Sequence, residues 1–427
     1  MKVLSLFDGM ACGMIAMQLA GVEVESYDAY EIDKYAIETA QHNFPMIKEH
    51  GDVFDADFTQ YEGVDFLIGG SPCTYWSIAQ TKNRETVASG IGWELFNQYV
   101  RALHEAKPKY FIYENNKSMS KAIRASIDET FGFEAVLINS ALVSAQNRQR
   151  LYWVGKRNAD GTYSKVNVEQ PADRGILLRD ILENGIAWQE KSYNLTTCCC
   201  RAIPEDTLKR HRHTMVAEPI EPRCVAQHGR YPENPKLRVA GLPTEQMFEA
   251  REDGKTNTLT TVLKDNQIME YIPTMPVKEA TARGYTEIEC GDCVDLSMPN
   301  SKTRRGRSMA DKANCMQTSN DFYQYVAYAI EFDDDGRPIK AIGKGGKEIT
   351  ICEVQNGKIT INGKQYPIKL KGGYYIIRKL TVRECMRLQT VPEWYEFPVS
   401  DSQAYKMLGN GWTCEVIAHI LKSLKEA

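Results

Sequence analysis

The chain has 427 residues, 43% of them hydrophobic, and a formal net charge of -4 at pH 7. This length and composition exclude a disordered or fibrous protein and predict a large buried core divided among two or three domains. The small negative charge excludes a protein that coats nucleic acid over its whole surface, but it is compatible with a local basic face.

Neither a signal peptide nor a membrane span is expected. The N-terminus MKVLSLFDGM lacks the length and the cleavage site of a signal peptide, and no run approaches the ~18 apolar residues of a membrane helix. The 12 cysteines have no regular spacing. In a chain without an export signal they predict reduced thiols, so we expect a cytoplasmic protein.

Short apolar runs alternate with longer amphipathic segments over residues 1–158. This pattern predicts parallel strands joined by crossover helices, in a doubly wound α/β sheet that binds ligands at the carboxyl ends of its strands. The predicted strands are KVLSLF, VESYDAYE, VDFLIGG, YFIYEN, FEAVLINS and RLYWVG, and the predicted helices include MIAMQLAG, YAIETAQHNF and WELFNQYVRALHEA.

A second, smaller and irregular β-rich domain is predicted over residues 159–377, where helical periodicity is weak. The segments KSYNLTTCC, KTNTLTTVL and KANCMQTSN resemble one another and predict a recurring strand-and-turn unit. Two NGK triplets within 322–377 predict hairpin turns. Residues 378–427 are helical again in TVRECMRLQ and DSQAYKMLGNGWTCEVIAHILKSLK, and we expect these helices to pack back on the first domain.

The segment LFDGMACGM places Gly9 and Gly13 between the first strand and a helix, where glycines let the backbone approach a ligand. Glu31 follows the second strand, in position to accept hydrogen bonds from a ribose. Asp52 adds a third carboxylate at a strand end. No Walker lysine follows the glycines, so together these residues predict an adenosyl pocket without a phosphate site.

Cys73 directly follows a proline at the end of the apolar run DFLIGGSPC. On its own it has three interpretations, which are a packing residue, a metal ligand and a nucleophile. The preceding GGSP breaks the strand and exposes the turn at the carboxyl edge of the sheet, where such folds place their sites. The nucleophile therefore becomes a plausible interpretation.

Three further polar residues follow the next strands. Glu114 ends YFIYEN, at the terminus where a second catalytic group would meet Cys73, although a solvated carboxylate or a helix cap is the more common role. Arg148 and Arg150 in SAQNRQRLYW lie two residues apart and so on one side of an extended chain. They predict either a surface ion pair or substrate orientation.

These motifs, in this order, resemble the DNA cytosine-5 methyltransferase family, of phage or bacterial type. The matching segments are LSLFDGMACG, GGSPC, ENN, QNRQR, RKLTVRECMRLQTVPEWY and MLGNGW, which together span the first ~155 and last ~50 residues. The chain departs from the family in having Pro-Cys-Thr for Pro-Cys-Gln, Glu-Asn-Asn for Glu-Asn-Val and Gly-Asn-Gly for Gly-Asn-Ser. Thr74 leaves open how the loop over the base is held.

The resemblance implies a SAM-dependent, Rossmann-like catalytic domain and a covalent mechanism. Cys73 would add to C6 of a flipped-out cytosine, so that C5 accepts a methyl group from S-adenosyl-L-methionine. Glu114 would contact the N3 and amino edge of the cytosine, and Arg148 would hold its O2 edge. Arg150 would support the residues that contact the base. The implied cofactor-binding residues are Phe7, Asp8, Gly9, Gly13, Glu31, Ile32, Asp52, Val53, Pro72 and Asn410.

Residues 159–377 are by resemblance the target recognition domain, which binds a specific double-stranded DNA sequence. The basic run SKTRRGRSMADK is on its residues alone equally a solvated loop, but in such a domain Arg304, Arg305 and Arg307 would contact DNA. We expect a monomer in the cytoplasm of a prokaryotic cell or phage-infected host, with no membrane partner. A restriction endonuclease partner is compatible with the resemblance.

Two alternatives to DNA methylation stay open. One branch of the family methylates cytosine in tRNA, although its members keep the middle region short. The other alternative is a DNA-binding protein that has lost catalysis. A zinc site at Cys198–Cys200 with His211 and His213, or at Cys290 and Cys293, is not favoured because neither has a matching second half, so no metal is expected.

Overall fold

The computed structural model describes residues 1–77, 84–183, 185–219 and 348–426, together with strands between 223 and 342. These residues fall into two compact units. The first comprises Met1–Val216 and Arg378–Ala427, and the second comprises Ala217–Ile377.

The first unit contains an eight-stranded sheet, as the α/β prediction requires. Five parallel strands in the order β3-β2-β1-β4-β5 are followed by β7, which is antiparallel to β5, and by β6. β8 extends the sheet beside β7. The strands are β1 (Lys2–Leu6), β2 (Ser26–Tyr30), β3 (Lys48–Glu49), β4 (Phe66–Gly69), β5 (Tyr110–Asn116), β6 (Val136–Asn139), β7 (Gln149–Arg157) and β8 (Tyr163–Lys165).

Helices cover this sheet because its strands are apolar on both faces. All four residues of β4 are buried, which is typical of a central parallel strand. Ser120 caps the N-terminus of the helix α4 (Lys121–Phe131), and Gly132, at φ 77°, ends that helix. The helices of this unit are α1 (Cys12–Leu19), α2 (Lys34–Asn43), α3 (Ile91–Ala106), α4 (Lys121–Phe131), α5 (Leu178–Ile181), α6 (Pro204–Arg210), α7 (Val382–Leu388), α8 (Asp401–Asn410) and α9 (Cys414–Glu426).

The C-terminal helices are grouped with the first unit. α9 packs against α1, and its apolar residues join the core cluster on that side of the sheet. The predicted helical segment over 401–425 is divided at residues 411–413 into α8 and α9. None of the helices that the structure describes is both long and apolar enough to cross a membrane.

The second unit consists of short strands in small sheets, in agreement with the predicted β-rich character. Both NGK hairpins form two-residue turns, with Asn356 at φ 51° and Asn362 at φ 49° and the following glycines also at positive φ. The sheet orders are β11-β10-β12, β13-β14, β16-β15-β17, β18-β19-β20 and β23-β22-β21-β24-β9.

The strands of these small sheets are β9 (Met215–Pro219), β10 (Arg223–Arg230), β11 (Glu245–Ala250), β12 (Gln267–Met269), β13 (Thr274–Lys278), β14 (Tyr285–Glu289), β15 (Cys293–Asp295), β16 (Ser308–Met309), β17 (Phe322–Gln324), β18 (Ala329–Phe332), β19 (Pro338–Ile342), β20 (Glu348–Ile349), β21 (Ile351–Gln355), β22 (Lys358–Ile361), β23 (Lys364–Pro367) and β24 (Gly373–Lys379).

The boundary between the units differs at one point from the predicted domain boundaries. The prediction places residues 159–216 with the recognition domain, whereas the structure groups them with the first unit. The ammonium group of Lys191 donates to the carbonyl oxygens of Ala141, Ser144 and Ile176, and Leu195 is buried in the core of that unit. Of the three similar segments, the two at 255–263 and 312–320 lie outside the described residues.

Candidate active site

The order of the sheet reverses between β1 and β4, and ligands in such folds bind at the carboxyl ends of the strands next to this reversal. The turn after β1 is strained. Phe7, Gly9 and Ala11 have φ of 58°, 62° and 59°, in the left-handed region that costs about 1–2 kcal/mol for a residue with a side chain. Non-glycine residues in this region are concentrated at functional sites, where a ligand contacts the backbone closely.

Glu31 is fixed immediately beside this turn. Its Oε2 accepts from the backbone N–H of Gly9 at 2.8 Å, and its Oε1 accepts from the N–H groups of Ile32 and Asp33. Ile32 is 73% exposed, so an apolar side chain is accessible to a ligand next to the Glu31 carboxylate. This pairing suits a nucleoside, whose ribose hydroxyls are hydrogen-bond donors and whose base has an apolar face.

Asp8 lies under the same turn and is only 9% exposed. Its Oδ1 accepts from the hydroxyls of Ser5 at 2.5 Å and Tyr27 at 2.6 Å, whereas its Oδ2 is buried without a partner. Burial raises the pKa of Asp8 to about 6, and the negative charge of Glu31 adds to the rise. A buried orphan oxygen at the edge of the site is consistent with a ligand that supplies a donor or a positive charge.

The other predicted cofactor residues have varied positions. Gly13 is a packing residue, because a Cβ there would overlap the side chain of Ile68. Asp52 caps the turn that follows it by accepting from a backbone N–H at 3.0 Å, and the Val53 side chain is buried. Pro72 and Asn410 are exposed, after β4 and at the end of α8. Phe7, Gly9 and Glu31 are the predicted residues that lie together at the turn after β1.

The loop carrying Cys73 is tied to the carboxyl end of β5. Ser71 Oγ and Tyr113 Oη are 2.7 Å apart, and the Asn115 amide donates to the Ser71 carbonyl at 3.1 Å. A Cβ on Gly70 would lie 2.7 Å from the Glu114 carbonyl, so only glycine permits this approach. Cys73 itself begins a 3₁₀ turn and is partly exposed.

The far side of this loop is anchored by a buried tryptophan. The indole of Trp76 donates to Glu85 at 3.0 Å, and the backbone N–H of Gly92, in the first turn of α3, donates to the other Glu85 oxygen at 3.2 Å. The Arg84 guanidinium donates to the carbonyls of Trp76 and Ser118. These contacts fix both ends of a loop whose residues 78–83 lie outside the described part of the chain.

Glu114 is 8% exposed, and a different donor binds each of its oxygens. Arg150 Nε lies 2.9 Å from Oε1, and Trp412 Nε1 donates to Oε2 at 2.9 Å. The β5–β7 register explains the ion pair, since Arg150 is opposite Asn116 and therefore diagonal to Glu114. Cys73, Glu114 and Arg150 are thus brought to one edge of the sheet.

Arg148 has different surroundings from those the sequence predicted. It is 3% exposed and donates to Asn194 and to the carbonyl oxygens of Leu195, Gly409 and Gly411, at 2.7–3.2 Å. Burial, together with Arg150, lowers the pKa of Arg148 to about 9, so it keeps its charge at neutral pH. Of the two arginines, Arg150 is therefore the one that is bonded to Glu114.

Several site residues were not predicted from the sequence. Trp412 and Asn115 lie within the quoted motifs MLGNGW and ENN, but neither was assigned a role, and Glu49 lies in no motif. Arg304, Arg305 and Arg307 lie outside the described residues. In the part of the chain that the structure describes, no three His, Cys, Asp or Glu side chains are grouped as metal ligands.

The parallel sheet with a strained turn after β1, and with a cysteine and a carboxylate at the ends of β4 and β5, has the features of an α/β enzyme that binds its ligands at the carboxyl ends of the strands. The family model for C-5 cytosine-specific DNA methylases matches residues 1–426. The chain belongs to that family. It is a DNA cytosine-5 methyltransferase, and S-adenosyl-L-methionine is its methyl donor.

Individual relatives are more distant. The chain is 25% identical to the orphan methyltransferase M.SPRI of Bacillus phage SPR, over 99% of this chain and 97% of that protein. It is 30% identical to the type II methyltransferase M1.ScrFI of Lactococcus lactis subsp. cremoris, over 43% of this chain and 49% of that one. The crystal structure of S. pombe Dnmt2 methyltransferase aligns with a TM-score of 0.45 and 13% identity, over 100% of this chain and 98% of that chain.

Proposed function

We propose that the enzyme methylates cytosine within a specific sequence of double-stranded DNA, through covalent addition of Cys73 to a flipped-out base. The observation that carries this proposal is the placement of Glu114. It is held between Arg150 and Trp412, and the Gly70 contact brings the Cys73 loop against it. A thiol and a preorganised carboxylate at one strand edge suit nucleophilic catalysis on a polar ring.

The side chains divide the reaction between them. Cys73 Sγ attacks C6 of cytosine, and the S–C6 bond forms as the electrons of the C5–C6 double bond move to C5. Glu114 contacts the N3 and amino edge and stabilises the proton that balances this charge, while Arg150 holds the carboxylate in place and lies toward the O2 edge. Bound S-adenosyl-L-methionine supplies an electrophilic methyl group. Loss of the C5 proton to a base then restores the double bond and expels the Cys73 thiolate.

DNA recognition is assigned to the second unit and to residues adjoining it. A base inside a duplex does not reach Cys73 unless it is flipped out, so the enzyme needs a surface that holds the opened duplex. The basic run at Arg304, Arg305 and Arg307 supports this role. We propose that the enzyme acts as a monomer, and a restriction endonuclease with the same recognition sequence remains compatible with it.

Trapping on a duplex that contains 5-fluorocytosine tests the covalent step, because fluorine at C5 prevents release of the cysteine. The wild-type chain should form a denaturation-resistant adduct when the methyl donor is added. Cys73→Ser should form none while still binding the donor, and the exposed control Cys198→Ser should behave as wild type. An adduct formed by Cys73→Ser would refute the assignment of the nucleophile.

The recognition sequence is measurable in the same system. Bisulfite sequencing of DNA from cells that express the chain should show protected cytosines in one sequence context. Methyl transfer to tRNA but not to duplex DNA would contradict the proposal that DNA is the substrate.

A further inference from the structure

Three carboxylates occupy the ends of three adjacent strands beside the proposed adenosyl pocket. Asp8 follows β1, Glu31 follows β2, and Glu49 ends β3, where it is paired in register with Ala29. Both carboxylate oxygens of Glu49 are buried and accept no hydrogen bond. Oδ2 of Asp8, in a side chain that is 9% exposed, is likewise buried without a partner.

No basic side chain offsets this charge among the residues that the structure describes. The donors to Asp8 are two neutral hydroxyls, and those to Glu31 are three backbone N–H groups. The ammonium group of Lys406, on α8, is paired with Asp33 instead. Burial raises the pKa of Glu49 to about 8, and repulsion from Asp8 and Glu31 adds to the rise.

Unpaired buried carboxylates are costly, and they persist where a ligand compensates them. The ligand class that does so here is an organic cation. The bound donor carries a positive sulfonium, and that charge is absent from the thioether product after the methyl group has left. The two ligands have the same adenosine and the same amino acid, so the charge at sulfur is what negative side chains distinguish.

We infer that Glu49, with Asp8, makes the cofactor pocket selective for a cation, so that Glu49 is a specificity-determining residue favouring the sulfonium donor over the neutral product. The inference rests on the proposed position of the adenosyl pocket. Attraction for the ligand is then greatest before transfer and falls when the sulfur loses its charge, which promotes release of the product.

Calorimetric dissociation constants for S-adenosyl-L-methionine and S-adenosyl-L-homocysteine test this inference without measuring catalysis. At about pH 8.5, above the pKa of Glu49, the ratio of the product constant to the donor constant should fall at least about fivefold in Glu49→Gln, from the loss of one negative charge at the proposed pocket. Glu49→Asp keeps the negative charge but shortens the side chain, so the ratio of the product constant to the donor constant should stay close to the wild-type ratio. The matched control Glu25→Gln, exposed before β2, should leave it unchanged.

The outcomes separate this inference from the proposed function. If Glu49→Gln binds both ligands with the wild-type ratio, or if Glu49→Asp loses the ratio as fully as Glu49→Gln, the inference is overturned. If the wild-type chain binds neither ligand, the proposed pocket itself is refuted. Retained affinity for the product shows that a variant is folded, so a changed ratio is not explained by unfolding.

Discussion

Arg148 and Arg150 show how two residues of one motif acquire different contacts. Arg148 donates only to an amide and three carbonyl oxygens, whereas Arg150 is paired with the Glu114 carboxylate. Gln149 separates the two arginines, so both side chains point to the same side of an extended chain. Arg148 nevertheless lies before the start of β7, and its side chain is buried in the core. The motif alone does not distinguish the roles, because they depend on residues 194–195 and 409–411, which are distant in sequence.

Replacing the two arginines should therefore give different results. Arg148→Met leaves several buried carbonyls without donors, so the free energy of unfolding should fall by about 2 kcal/mol or more. Arg150→Lys should lower kcat about 100-fold with a small change in stability, because the ammonium still compensates the buried Glu114 carboxylate but does not reproduce the geometry of the guanidinium. Urea unfolding and single-turnover methylation measure the two effects. Equal loss of stability in both variants would contradict the assignment.

The raised pKa values of Asp8 and Glu49 predict how stability depends on pH without ligand. The folded chain binds these two protons more tightly than the unfolded chain does. The resulting stabilisation is complete below the ordinary values of 3.8 and 4.5, and it is lost as the pH rises through about 6 for Asp8 and about 8 for Glu49.

Glu49→Gln isolates one part of this effect. Relative to the variant, the wild-type chain should become progressively less stable between about pH 5 and pH 8, because only the wild type must ionise a buried group. Chemical unfolding midpoints across this range provide the measurement. Parallel pH curves for the two proteins would show that Glu49 does not titrate as the structure implies.

Among the secondary-structure elements, the sequence predicted the six long strands of the sheet and the C-terminal helices. It succeeded with the strands because buried strands have continuous apolar runs. It also predicted the two hairpins of the second unit, because their Asn-Gly turns require positive φ. The predicted set did not include β3, β8 or α4. β3 has two residues, too few for a periodicity, and β8 has only three.

The end of β4 gives a prediction at this scale. In Gly70→Ala the new Cβ would lie 2.7 Å from the Glu114 carbonyl, which is backbone and cannot rotate away. The loop must shift, and a displacement of about 1 Å at a reacting group costs on the order of 100-fold in rate. Donor affinity should be retained.

Gly372→Ala is the matched control, because its Cβ would have only an ordinary approach to a neighbouring atom, at 3.5 Å. Adduct formation on the 5-fluorocytosine duplex and donor binding by calorimetry separate the two effects. If Gly70→Ala forms the adduct as the wild type does, the close contact between Gly70 and the Glu114 carbonyl is not needed for attack by Cys73.

For the whole molecule, the first unit holds every described residue of the candidate site, although the site is assembled from both ends of the chain. The sequence predicted this return of the C-terminal segment from the renewed helical character of residues 378–427. It did not predict that residues 159–216 belong to the first unit, because their buried contacts depend on Lys191 and Leu195, which lie in a segment without periodicity.

DNA binding should depend on salt through the basic run. Replacing Arg304, Arg305 and Arg307 by glutamine should weaken binding across all sequences and reduce the slope of log K against log salt by about one for each of these arginines that neutralises a phosphate. Lys107→Gln with Lys109→Gln is the control, since these lysines precede β5 at the opposite end of the sheet. An unchanged slope in the triple variant would remove this run from the DNA surface.

The contacts of Arg148 and Glu114 with residues 409–412 also determine at which point of translation the active site can be completed. A nascent chain that has emerged as far as residue 400 already contains the cysteine, the glutamate and both arginines. It still lacks two of the three carbonyl acceptors for Arg148, those of Gly409 and Gly411, and the indole donor for Glu114. Because chains fold from the N-terminus as they emerge, residues 409–412 complete the site only after the reactive residues have been synthesised, so a chain that stops before residue 409 would hold the reactive residues without the contacts that orient them.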